Sequence, residues 1–246
     1  MNDHFLTALP VYNEVAFVNA VLDKVKYFSQ HVLVIDDGSD DGTSGLLAAR
    51  DDIQLVTHSQ NRGYGAALIS AFQYAMSHDY NILVTIDCDG QHEPQLIPDF
   101  VKACRKTDII SGSRYLRPFV NGDLPPVERE RINRMITAEI NKRLSLDITD
   151  AFCGFKAYRV SSLKQLPLTE PGYAMPLELW VQASAADLQV AELPVPLIYL
   201  DEKRTFGGQL DEADVRLEYY RLVLERSITA LSHRKKEALA DRSIWH

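Results

Sequence analysis

At 246 residues and 46% hydrophobic side chains, the chain is long enough to bury one large core. A formal net charge of −8 argues against duplex nucleic acid as a partner. No window approaches the ~18 to 20 continuous apolar residues of a membrane span, no basic-then-apolar leader is visible, and three scattered cysteines without a CxxC pair argue against a zinc site and for a reducing compartment.

In chain order, apolar β-branched runs predict strands over residues 4–9, 31–35, 53–57, 81–86 and 108–111. Helical spacing between them predicts helices over 14–28, 43–49, 65–76 and about 95–104. This alternation, with near-continuous apolar strands, reads as an α/β fold with a mostly parallel central sheet covered by helices on both faces. Residues 116–126, with three prolines, read as a loop. A helix over 129–143 follows, then a turn into a strand or short helix at 150–159. The rest reads as a helix over 177–186, a strand over 189–195, a flexible loop at 204–208 and a helix from 214 to about 232. No linker separates two domains, so one domain is expected over 1–246. It divides into a first half (1–115), a second half (116–212) and a C-terminal helical segment (213–246).

Ligands of such sheets sit beyond the carboxyl ends of the strands. Each early strand runs there into polar residues: Pro10-Val-Tyr-Asn-Glu14, Asp36-Asp-Gly-Ser-Asp-Asp-Gly-Thr43, Asn61-Arg-Gly-Tyr-Gly65 and Asp87-Cys-Asp-Gly90. Asp87 and Asp89, spaced i, i+2, lean the same way and offer hard oxygen ligands to Mg²⁺ or Mn²⁺ carrying a diphosphate. Gln91 or His92 could add a third ligand; a strand-to-helix turn with an Asp cap explains the same residues. Asp36 and Asp37 can accept from a nucleobase or ribose, or merely form an Asx turn. Six arginines between 114 and 143 match phosphate oxygens, although interleaved Glu128, Glu130 and Glu139 equally suit a solvated helix face.

Together, these four motifs with Ser111-Gly-Ser-Arg-Tyr115 resemble the family 2 glycosyltransferases of the GT-A fold, from the N-terminus to about residue 200. Asp150-Ala-Phe-Cys-Gly-Phe-Lys-Ala-Tyr-Arg159 and Glu192-Leu-Pro-Val-Pro196 are similar to segments of the dolichol-phosphate mannose synthase-like subgroup. The resemblance implies a Rossmann-like GT-A fold and an enzyme that moves a hexose, with inversion, from a GDP- or UDP-hexose to an acceptor. Pro10, Tyr12, Glu14, Asp37 and Gly63 would bind the nucleotide. Asp87, Asp89 and Gln91 would hold Mg²⁺ or Mn²⁺ and the diphosphate. Arg114, Arg131 and Arg204 would hold phosphates of donor or acceptor. The acceptor implied is a polyprenyl (dolichyl or undecaprenyl) phosphate, met by a cytoplasmic or peripheral protein at the inner membrane surface. Glu178 sits near where other members place a catalytic base, which keeps a saccharide or small-molecule hydroxyl open as acceptor. A nucleotide-sugar-binding protein without turnover is the reading from another class. In place of the Gly-Ser-Lys-like loop usual after Arg204 stands Gly207-Gly-Gln209, and the Gln-x-x-Arg-Trp motif of processive synthases is absent.

Overall fold

A computed structural model describes residues 4–117, 126–198 and 208–243. The first half alternates β1 (Phe5–Val11), α1 (Val18–Phe28), β2 (Val32–Asp36), α2 (Thr43–Ala48), β3 (Gln54–Thr57), α3 (Tyr64–Ser77), β4 (Ile82–Thr85), α4 (Ile97–Cys104) and β5 (Ile109–Ser113). The second half adds α5 (Val127–Leu144), β6 (Lys156–Arg159), α6 (Val160–Leu163), α7 (Met175–Ala185), β7 (Val190–Pro194) and α8 (Ala213–Ser243). Helix α1 starts four residues later than its spacing predicts. Residues 14–17 form a turn instead, with Phe17 and Val18 N–H groups both donating to the Glu14 carbonyl.

Seven strands form one sheet in the order β3-β2-β1-β4-β6-β5-β7. All neighbouring pairs are parallel except the two made by β6, which runs antiparallel to β4 and β5. The period-2 pleat divides the core into two layers. Leu6 and Ala8 of β1, Leu33 and Ile35 of β2, and Leu83 of β4 face α3, α5, α7 and α8. Leu9, Val11, Val32, Val34, Ile82 and Val84 face α1 and α4 on the other side. Each fully buried Leu, Ile or Val contributes about 1.5–3 kcal/mol, so a one-residue slip of a central strand would reverse two apolar faces at once.

The antiparallel β6 determines where the site lies. Thr85 pairs with Lys156, and the Thr85 hydroxyl donates to the Gly154 carbonyl at 2.9 Å. The Cys153–Phe155 segment is thereby drawn against the carboxyl end of β4, and a Cβ on Gly154 would overlap the Asp87 carboxylate. Lys156 lies beneath this floor, fully buried, donating to the Cys153 carbonyl, with its Nζ 5.4 Å from the Trp180 ring centroid.

Candidate active site

A cavity of about 800 Å³ opens beyond the carboxyl ends of β1, β2 and β4. Pro10, Tyr12, Glu14, Asp37, Gly63, Asp87, Asp89 and Gln91 all line it. Its first wall is two loops tied together. Asn13, in the left-handed region at φ 57°, donates from Nδ2 to Asp40 Oδ1 at 2.8 Å and accepts on Oδ1 from the Asp40 N–H at 2.9 Å, and the Glu14 N–H donates to the Thr43 hydroxyl. Tyr12 is left 43% exposed at the mouth.

The two aspartates ending β2 do different work. Asp36 caps its own loop, accepting from the Ser39 N–H at 3.0 Å and the Ser44 hydroxyl at 2.5 Å. Asp37 is buried and reaches across to the loop after β3, accepting from the Arg62 and Gly63 N–H groups at 2.9 and 2.7 Å and from His58 at 2.6 Å. Its framework role is therefore larger than the single turn bond the sequence brings to mind.

At the end of β4, Asp87 accepts from the Tyr64 hydroxyl at 3.0 Å and from His92 Nε2 at 3.1 Å. Burial opposes its charge, but the His92 and Tyr64 bonds and the Lys156 charge outweigh it and hold the carboxyl below its ordinary value. Asp89 takes the Gln91 N–H at 2.9 Å in a tight turn. His92 Nδ1 is buried with no hydrogen-bond partner. Among the described residues, no three His, Cys, Asp or Glu side chains converge as a ready-made metal cage. Two carboxylates at a strand end fit instead a hard ion completed by water and substrate phosphates.

The arginines and Glu178 fall differently from expectation. Arg114 lines the cavity, yet its fork is closed on Asp150, Nε to Oδ2 at 2.6 Å and Nη2 to Oδ1 at 2.9 Å. Asp150 also takes Asn133 Nδ2 at 2.8 Å and the Phe152 N–H at 3.1 Å, so Arg114 anchors the floor. Arg131 is not part of the lining; it pairs with Glu128 at 2.7 Å and lies 3.6 Å from Asp214. Arg204 lies outside the described residues. Glu178 is buried outside the lining and satisfied four times, by the Thr169 N–H and hydroxyl, the Glu170 N–H and Gln182 Nε2, at 2.7 to 3.0 Å. It braces the chain entering α7 and does not face the cavity as a base would.

The basic residues on the cavity wall include two that were not named as site residues: Arg129, one of the six clustered arginines, one turn before Ile132 and Asn133 on α5, and Arg216 of α8, 4% exposed, which the sequence reading passed over. Arg216 donates to the Leu210 and Asp211 carbonyls at 2.5 and 3.2 Å. Burial lowers its pKa; Tyr220 opposes that shift and the Arg129 charge adds to it. Around them the wall is apolar: Ile132, Phe152, Leu197, Ile198, Leu210 and Tyr220. Tyr173 joins them, stacked on Tyr64 at 5.8 Å. No helix among the described residues is long and apolar enough to cross a membrane.

The glycosyl transferase family 2 model matches residues 7–167, which hold the two tied loops of the cavity's first wall and the β4 aspartates. The chain is 30% identical to the undecaprenyl-phosphate mannosyltransferase of Micrococcus luteus, over 86% of this chain and 91% of that protein. It is also 30% identical to the polyprenol monophosphomannose synthase of Mycolicibacterium smegmatis, over 77% and 76%. Its fold superposes at a TM-score of 0.70 on glucosyl-3-phosphoglycerate synthase of Mycobacterium tuberculosis in complex with Mn²⁺ and UDP, at 19% identity, covering 93% of this chain and 81% of that one. With its GT-A sheet and its match over most of the chain, this protein belongs to the family 2 glycosyltransferases.

Proposed function

We propose that this glycosyltransferase moves a hexose from a nucleoside diphosphate sugar to a polyprenyl phosphate, with inversion and with the help of Mg²⁺ or Mn²⁺. One observation carries the reading. A single cavity joins the β4 aspartates to an apolar wall bearing two guanidinium groups, Arg129 and Arg216. An apolar chain ending in an anion suits that wall, because guanidinium forks match phosphate oxygens. The names of the two mannosyltransferase relatives support the same acceptor class.

In this reading the nucleoside rests among Pro10, Tyr12, Glu14, Asp37 and Gly63, and its diphosphate faces Asp87, Asp89 and Gln91. A divalent ion held there would neutralise charge gathering on the leaving diphosphate. Tyr64 and His92 keep the Asp87 carboxylate oriented. An acceptor phosphate oxygen attacks the anomeric carbon as the bond from that carbon to the diphosphate oxygen breaks, so the configuration inverts. The phosphate is already anionic at neutral pH and needs no general base. That agrees with Glu178 being turned into the protein.

The test is transfer of labelled hexose from GDP- and UDP-sugars to polyprenyl phosphate by the purified protein. Label should enter the lipid phosphate from one donor, and EDTA or Asp89→Ala should stop it. Transfer to a saccharide hydroxyl in preference to the lipid, or full activity in EDTA, would overturn the acceptor or the metal part of the proposal respectively.

A further inference from the structure

His58 is absent from the cavity wall, yet it is tied to that wall through Asp37. It directly follows β3, is 7% exposed, and uses both ring nitrogens. Nδ1 lies 2.6 Å from Asp37 Oδ1, and Nε2 lies 2.9 Å from the Ser70 hydroxyl on α3. A carboxylate only accepts, so Nδ1 carries a hydrogen toward Asp37, and in the neutral ring Nε2 accepts from Ser70. The His58 N–H donates to the Asp36 carbonyl at 2.9 Å, which fixes the ring's base.

The far side of Asp37 shows what this bridge holds. Its two oxygens collect the Arg62 and Gly63 N–H groups at the entry to α3. Gly63 sits at φ 103°, and a Cβ there would overlap the Pro171 carbonyl, so the turn is confined from both sides. Asn61, Gly63 and Tyr64 line the cavity, and the Tyr64 hydroxyl reaches Asp87. A continuous chain of bonds thus runs from Ser70 through His58 and Asp37 to the turn that walls the site. A carboxylate offers about four lone-pair directions, and His58, Arg62 and Gly63 occupy three of those on Asp37. The direction left on Oδ2 is aimed by the same three partners.

We propose that His58 is a positioning residue for nucleotide binding. It holds Asp37, and through it the Arg62–Tyr64 turn, in the orientation that receives a nucleoside diphosphate, without touching the ligand itself. The inference rests on the donor-site reading given above.

The experiment compares wild type, His58→Leu, His58→Asn and His58→Gln by calorimetry with GDP and UDP in the presence of Mn²⁺, and by donor KM and kcat. The Asn amide can donate where Nδ1–H stood; the longer Gln amide reaches toward Ser70 and abandons Asp37. Removing an outer partner that orients a binding group typically costs 10- to 100-fold, so His58→Leu and His58→Gln should weaken diphosphate binding and raise donor KM by at least about tenfold. Their kcat at saturating donor should stay within about threefold of wild type, the pattern of lost uniform binding. His58→Asn should recover most of the affinity. If His58→Leu does not fold, Asn against Gln carries the comparison. A folded Leu or Gln variant with wild-type donor KM, or equal losses in Asn and Gln, would overturn the proposal. A wild-type protein that binds neither diphosphate would instead overturn the donor-site reading beneath it.

Discussion

Asp37 and Asp150 each organise a piece of backbone around a buried carboxylate, and each makes a prediction at the scale of one residue. Asp37→Ala would strip acceptors from the Arg62 and Gly63 amides and from His58. A buried donor left unsatisfied costs about 1–3 kcal/mol, so the variant should lose at least about 3 kcal/mol in urea unfolding, beyond any effect on nucleotide binding. Asp150 is fully buried; burial opposes its charge, but Arg114 and Asn133 outweigh this and hold the carboxyl far below its ordinary value. A depressed carboxyl contributes stability that is complete above its unfolded pKa and is lost as pH falls through the folded one. Unfolding should therefore become easier below about pH 4, near the unfolded pKa of an aspartate, and Asp150→Asn should flatten that acid limb while lowering stability at pH 7. An acid limb of unchanged slope in the variant would show that other carboxyls govern it.

At the scale of elements, the parallel strands and the polar clusters at their ends were legible because the pleat and the βα turns write themselves locally. The strand β6 was only half legible. Its four residues include the buried Lys156, and its antiparallel pairing with β4 joins positions more than seventy residues apart. The commitment of Arg114 to Asp150, 36 residues on, was hidden for the same reason. The two cavity arginines did leave a signal. On α5 the buried positions are 132, 133, 136, 137 and 140, and Arg129 falls on that stripe whereas Arg131 does not. On α8, Arg216 sits in the stripe of Leu217, Tyr220, Val223 and Leu224. An arginine in phase with an apolar helical stripe is the pattern that density of arginine alone does not reveal. The insertion of β6 also makes a prediction. Gly154→Ala should push on Asp87 and weaken Mn²⁺-dependent diphosphate binding by about 10- to 100-fold, with the far-ultraviolet spectrum unchanged. Wild-type affinity in that variant would mean that Asp87 tolerates displacement.

Across the whole molecule, one sheet carries one wall of the cavity on β1, β2 and β4, while α5 and α8 close its opposite side. The helices are clasped by Arg143 to Glu225 at 2.5 Å and Arg221 to Glu139 at 3.3 Å, exposed pairs worth about 0–1 kcal/mol each. Their relative position rests chiefly on Ile132, Ile136, Ile140, Leu217, Tyr220 and Leu224 in the shared core. In the proposed reading, donor chemistry falls to the strand ends and acceptor recognition to the inward stripes of two helices. The acceptor claim is tested most directly by the KM for polyprenyl phosphate in Arg129→Ala and Arg131→Ala, assayed side by side with donor saturating. Loss of a charge-assisted bond costs about 1.5–3 kcal/mol, so Arg129→Ala should raise that KM by roughly 10- to 150-fold, while Arg131→Ala, exposed and paired with Glu128, stays near wild type. An unchanged KM in Arg129→Ala, with the loss appearing in Arg131→Ala, would contradict the account.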